Sequence, residues 1–252
     1  MSQKKSFAAL GITAYLVFLI TSIPAPQGIQ WIQNFFPQQQ VQISQPKGTI
    51  WSGSADRITV YQTQMDNVHW EIHPLTLFTG RLKLSIGIND SEYKASATLG
   101  FNTQGLVSVE NLNGDIPANI LSQLPYAKNV SPSGSLTLEI DAIHFSDTQL
   151  PTEADGEIIW HSAGLNSPFS LNIGTLLIKL ESQDKGIQIH IKDQDAQIRV
   201  DTTIVLREDG NYKIQGELTP KPNTNQNLIS TLTLLGKKDL RGIIHVNYSG
   251  ML

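Results

Sequence analysis

From Val41 onward, apolar and polar residues alternate. "RLKLSIGIN" sets Leu82, Leu84, Ile86 and Ile88 against Arg81, Lys83 and Ser85. "SLTLEIDA" sets Leu136, Leu138 and Ile140 against Thr137, Glu139 and Asp141. "GIQIHIKD" sets Ile187, Ile189 and Ile191 against Gln188, His190 and Lys192, and "QIRVDTTIVL" and "NYKIQGEL" continue the pattern. A period of two predicts half-buried, mostly antiparallel strands. Turn residues separate them at Asn89-Asp90, Asn113-Gly114, Ser133-Gly134 and Asp209-Gly210-Asn211. Two segments have helical spacing instead: Ile116, Ile120, Leu121 and Leu124, then Leu228, Ile229, Leu232 and Leu235. Two short helices cannot cover about a dozen strands, so the apolar faces are expected to bury each other in a curled, folded-over sheet or a sandwich. A sheet that fails to close would present a long apolar groove.

The first forty residues follow a different rule. No charge occurs from Ser6 to Pro46, and residues 7–23 are apolar apart from Thr13, Tyr15, Thr21 and Ser22. A run of that length is at the short end of a bilayer-spanning helix. Lys4 and Lys5 precede it, which predicts a cytoplasmic N-terminus. Cleavage after Ala25 as a signal peptide would place bulky Ile23 where a small residue is wanted, so an uncleaved anchor is expected. Residues 27–36 bring Ile29, Ile32 and Phe36 to helical spacing beside Trp31 and Phe35. Such a helix can lie on the membrane surface or pack on the domain that follows. The expected organisation is a cytoplasmic tail (1–5), a transmembrane helix (6–24), an interfacial helix and linker (25–46), and a periplasmic β-rich domain (47–252).

Within that domain, "GTIWSGSA" at 48–55 is echoed by "GEIIWHSA" at 156–163, which pairs Trp51 with Trp160. Strands and a helix-like segment follow each, which predicts tandem repeats at 47–150 and 151–252. On an extended chain Trp51, Gly53 and Ala55 share a face, a device for packing an aromatic ring beside small residues. In "WEIHPLTLFTGRL" a strand from Trp70 stops at Pro74, makes a short apolar turn, and restarts after Gly80. These residues (Trp51, Gly53, Trp70, Pro74, Gly80 and Trp160) are structural or interface candidates.

Composition narrows the function. The net charge is −4; removing the two lysines before the apolar segment leaves −6 for the rest, so net charge favours neither nucleic acid nor anionic lipid. With no cysteine there is no disulfide, thiol nucleophile or Cys zinc site. The best metal candidate is "HWEIH", whose His69, Glu71 and His73 share one strand face. Zinc-protease spacing needs Glu directly after the first His, where Trp70 stands, so the triad reads as the polar face of a half-buried strand. His144, His161, His190 and His245 sit singly in separate strands, and Asp141, Asp147 and Glu153 are scattered. There is no phosphate loop and no nucleophile elbow. No cofactor, no resident metal and no catalysis are expected.

Taken in order, "GTIWSGSADRI", "VHWEIHPLTLFTGRLKL", "SLTLEI", "GEIIWHSAG", "LREDGNYKIQGELTP", "LISTLTLLGKKDLRG" and "VNYSGML" resemble the type II secretion system protein N family over nearly the whole chain. The resemblance implies a bitopic inner-membrane protein with a periplasmic β-rich domain. It implies an accessory or scaffold subunit of the apparatus that exports folded periplasmic proteins across the outer membrane. Its partners would be other subunits of the inner-membrane platform, with secretin or pseudopilus components as further candidates. It carries over no catalytic residue. The alternation also resembles the curled sheets of AsmA-like proteins, so the alternative is a periplasmic β-groove handling lipid or envelope components.

Overall fold

The computed structural model describes residues 22–35, 41–60, 63–123, 130–148, 150–167, 170–222 and 224–252. They form two compact units, residues 1–90 and 91–252. This boundary differs from the 150/151 division that the sequence echo anticipates. It falls at Asp90, one of the turn residues recognised from composition.

In the first unit, helix α1 (Ala25–Phe35) precedes strands β1 (Val41–Gly48), β2 (Ser52–Val60), β3 (Thr63–His73) and β4 (Arg81–Asn89). The strands pair antiparallel in chain order. β1 occupies residues expected to be linker. The register puts Ala55, Val68 and Ile88 in one row and Gly53, Trp70 and Ile86 in the next, forming the apolar face. A 3-10 turn (Pro74–Thr79) connects β3 to β4.

α1 is held to this sheet by its first turn. Pro24 bridges Thr49, and the Ile50 N–H donates to the Ile23 carbonyl at 3.1 Å. Ala25 and Gly28 are buried, and a Cβ on Gly28 would collide with Ile50 Cγ2. The start of this helix therefore packs on the domain. Among the described residues no helix is long and apolar enough to cross a membrane. The expected transmembrane segment lies outside the described residues as far as Thr21, as do Pro37 to Gln40 of the expected linker.

The second unit continues with β5 (Lys94–Asn102), β6 (Val107–Pro117), a 3-10 turn (Ala118–Gln123), β7 (Ser131–Phe145), β8 (Pro151–Ser167), β9 (Leu171–Gln183), β10 (Gly186–Ala196), β11 (Ile198–Arg207) and β12 (Asn211–Pro220). Helix α2 (Gln226–Leu232), β13 (Lys237–Lys238) and β14 (Ile244–Met251) complete it. β5 to β12 again pair in chain order, β14 joins β12, and the short β13 lies outside β14. No sandwich forms within this unit: its described strands belong to one open antiparallel ladder. The physical reason is connectivity. Hairpins as tight as Gln183 to Gly186 and Ala196 to Ile198 keep each strand from β6 to β12 beside its predecessor, so this run builds one layer and only β14 skips a neighbour to reach β12.

The apolar face is continuous across the ladder. One row runs Leu112, Ile140, Gly156, Leu180, Ile189, Ile204, Ile214 and Tyr248. The helix covers one region of it: Leu228 and Leu232 bury themselves against Ala163, Leu176, Ile198, Val200, Leu218 and Ile244. Asn225 caps that helix by accepting from the Asn227 N–H at 2.8 Å. Away from α2, Ile158, Ile178, Ile189, Ile204 and Ile214 remain half-buried.

Candidate functional site

The polar sides of the strands are occupied with cross-strand pairing. On β3, His69 and Glu71 are exposed while Val68 is buried, as the alternation anticipates. His73 Nε2 and Ser85 Oγ hydrogen-bond at 2.8 Å. Among the described residues no cluster of His, Asp and Glu has an arrangement able to hold a metal. Histidines of the second unit find partners across strands, His144 with Glu153 (2.8 Å), His161 with Thr137 (3.2 Å) and His245 with Glu217 (3.4 Å), and His245 also meets Asp239 of the turn before β14 (3.3 Å).

Acidic residues that look scattered in sequence converge through register. Glu139, Asp141, Asp155, Glu157 and Glu181, with Lys179, line an open depression of about 450 Å³. Ser182 donates to Asp155 through both its hydroxyl (2.5 Å) and its N–H (3.0 Å), holding that carboxyl below its usual range. The Lys179 ammonium, 2.9 Å away, does the same for Glu181. These contacts tie β8 to β9 and brace β9 itself. They leave neither carboxyl poised as an acid or base near neutrality.

Two of the tryptophans bond a backbone carbonyl through the indole N–H. Trp70 Nε1 donates to the Ile50 carbonyl at 3.2 Å, and Trp160 Nε1 donates to the Ser133 carbonyl at 2.9 Å. Trp51 does not lie in a strand with Gly53 and Ala55. It is half-buried in the bend before β2, and its carbonyl accepts the Ile72 N–H at 2.6 Å. The ring against Gly53 is that of Trp70, because the register places those two residues opposite each other.

The most distinctive surface in the first unit is the Pro74–Thr79 turn. Pro74 starts it, and Gly80 ends it in a left-handed conformation (φ 69°) with its N–H bonded to the Leu77 carbonyl at 3.0 Å. The Thr76 hydroxyl donates to the His73 carbonyl (2.7 Å) and accepts from the Lys83 N–H (3.2 Å). The Thr79 hydroxyl donates to the Thr76 carbonyl (2.7 Å). This braced turn holds Leu75, Leu77 and Phe78 in solvent, 77, 48 and 89% exposed. Pro74 opens the turn and Gly80 closes it, and the exposure of the apolar residues between them was not foreseen. The available signal was three large apolar side chains confined between Pro and Gly, with no alternation to assign them a buried face. After α2, Leu234 (66%) and Leu240 (fully exposed) are also large apolar residues in solvent.

Residues 39–247 match the family described as "Type II secretion system (T2SS), protein N". The chain is 25% identical over 257 residues to the Type II secretion system protein N of Aeromonas hydrophila, with 99% of each chain covered. It is 19% identical over 248 residues to the protein of the same name from Pectobacterium carotovorum subsp. carotovorum, covering 93% of this chain and 88% of that one. No solved structure matches it. The family match extends over most of the chain, from just before β1 into β14, and so takes in both units; the chain belongs to the type II secretion system protein N family.

Proposed function

We propose that this component of type II secretion is a non-enzymatic accessory subunit that acts as a scaffold at the inner membrane. In this reading residues 6–24 are the anchor, the N-terminus is cytoplasmic, and residues 47–252 act in the periplasm beside other subunits of the platform. The observation that carries it is the family match over both units. Two further features support it. The polar groups described above serve to hold strands together, and the exposed apolar residues sit on braced turns, as contact surfaces do. The uncharged run after Lys4 and Lys5 supports the anchor.

Deleting the chain tests this reading. Substrates of type II secretion should accumulate in the periplasm while their Sec-dependent crossing of the inner membrane stays normal. Unimpaired export in the deletion strain would overturn it.

A second reading is favoured by one observation, the half-buried apolar rows of the second unit's open sheet. An AsmA-like groove handling lipid or envelope components would use that face. Its signature is antibiotic sensitivity from a leaky outer membrane in a deletion strain whose export is normal.

A further inference from the structure

We propose that the Pro74–Thr79 turn is a membrane-insertion element, with Leu75, Leu77 and Phe78 seated in the acyl–headgroup boundary of the bilayer that anchors the chain. The inference rests on the reading of residues 6–24 as that anchor.

The turn is the wrong place for exposed apolar side chains unless something covers them. Leu75 and Phe78 project almost fully into solvent from a turn whose hydroxyl and carbonyl groups are already bonded to each other. A braced backbone means little ordering entropy is lost when those side chains are buried. The first unit's own topology identifies the occupant. The chain emerges from its apolar segment at Ile23 and Pro24, which are bonded to Ile50 and Thr49. In the next residue, the Trp51 carbonyl is bonded to the Ile72 N–H, and Pro74 is two residues further on. The exit of the apolar segment and the exposed turn therefore share one end of the four-stranded sheet, about two strand spacings apart, or roughly 10 Å. If the segment spans a bilayer, this end faces it.

Local charge agrees. Residues 72–89 contain no acidic side chain, and their two full charges are Arg81 and Lys83, at the base of the turn. The chain's net −4 argues against general attraction to anionic lipid, but the strand that leaves the turn is cationic, with Glu71 before the turn as the nearest acidic residue in the chain. Apolar residues at the tip and cations at the base match the order of acyl chains and phosphates in a leaflet.

Because the chain has no cysteine, a single introduced one is unique. The test uses the full chain reconstituted in vesicles of phosphatidylethanolamine and phosphatidylglycerol, with Phe78→Cys carrying an environment-sensitive dye. A second variant, Gln64→Cys, places the dye on an exposed position at the other end of β3. The expected result is a dye at 78 that is shielded from iodide and quenched by a lipid-borne quencher, while the dye at 64 behaves oppositely. Adding Leu75→Ser and Leu77→Ser should return the dye at 78 to water, since each exposed side chain is worth about tenfold or more in partition.

Equal iodide access at 78 and 64, with the chain still resisting carbonate extraction, would overturn the insertion and leave the anchor standing. A dye at 78 shielded from iodide yet untouched by the lipid quencher would also overturn it, in favour of a protein contact. A chain removed by carbonate would overturn the anchor reading and the inference together.

Discussion

Gly53 and Trp70 face each other across β2 and β3, and the indole Cζ2 lies 2.5 Å from where a Cβ on Gly53 would be. The Lys47 carbonyl lies equally close on the other side. With the Thr49 carbonyl at 2.9 Å, Gly53 is a slot between a ring and two backbone oxygens. Gly53→Val should destabilise the first unit by about 1–3 kcal/mol through overpacking, measured by urea unfolding of the detergent-solubilised chain. Gly53→Ala combined with Trp70→Phe should cost less than the two single changes added together, because the shorter ring clears the one close contact of the three that a side chain makes.

Gly28 offers a test of opposite tendencies. Ala is favoured over Gly within a helix by about 0.5–1 kcal/mol, yet its Cβ would collide with Ile50 Cγ2. Gly28→Ala is expected to destabilise, and Gly28→Ala with Ile50→Ala to recover much of the loss. A Gly28→Ala chain that melts higher than the native one would show that Ile50 moves aside freely.

Trp160→Phe removes the bond from the indole N–H to the Ser133 carbonyl and leaves that half-buried oxygen to water. The expected cost of the lost bond is about 0.5–1.5 kcal/mol, beyond whatever the smaller ring loses in packing. Melting curves of Trp160→Phe against a control such as Ile158→Val would separate the two contributions.

Asp239 is expected to make stability depend on acid pH. Burial pushes its carboxyl up, but the Ile243 N–H, the His245 ring and the Arg241 N–H groups outweigh that and lower it from 3.8 to about 2. A carboxyl depressed in the folded state stabilises above its unfolded value and loses that contribution as pH falls through the folded one. The melting-temperature gap between the native chain and Asp239→Ala should be largest above about pH 4 and close toward pH 2. A gap that stays constant over that range would mean the turn is held by other groups.

The triple change of His69, Glu71 and His73 to Gln should leave export of secreted proteins intact. Two of these side chains are exposed and the third bonds Ser85, a contact that Gln can replace. Lost export with an unchanged melting temperature would instead mark that strand face as a contact surface.

The alternation was sufficient to locate β4, β7, β10, β11 and β12, because apolar residues recur at alternate positions in each. It could not show what covers that face: Ile189 and Ile204 alternate as cleanly as buried residues do, yet remain half-buried on an open sheet. Gly53 was legible as a packing position. The identity of its ring was not, since neighbours along the chain favour Trp51 and only the β2–β3 register selects Trp70. The acidic depression was hidden for the same reason: Glu139, Glu157 and Lys179 are far apart in sequence and adjacent only through two registers. The helical pattern after residue 27 was visible, but its docking depends on the contact between Gly28 and Ile50, for which periodicity carries no signal.

The chain-order pairing of strands has a mechanical consequence. From β6 to β12 each strand bonds its immediate predecessor and can be added as soon as it emerges, so this part of the sheet can assemble progressively while its far end is still being made. The same architecture resists tension poorly, because antiparallel neighbours drawn apart from one end break their bonds one at a time. Pulled by Leu252, the second unit should release β14 from β12 first and then unzip in a sawtooth of small, similar force steps, with no single high rupture.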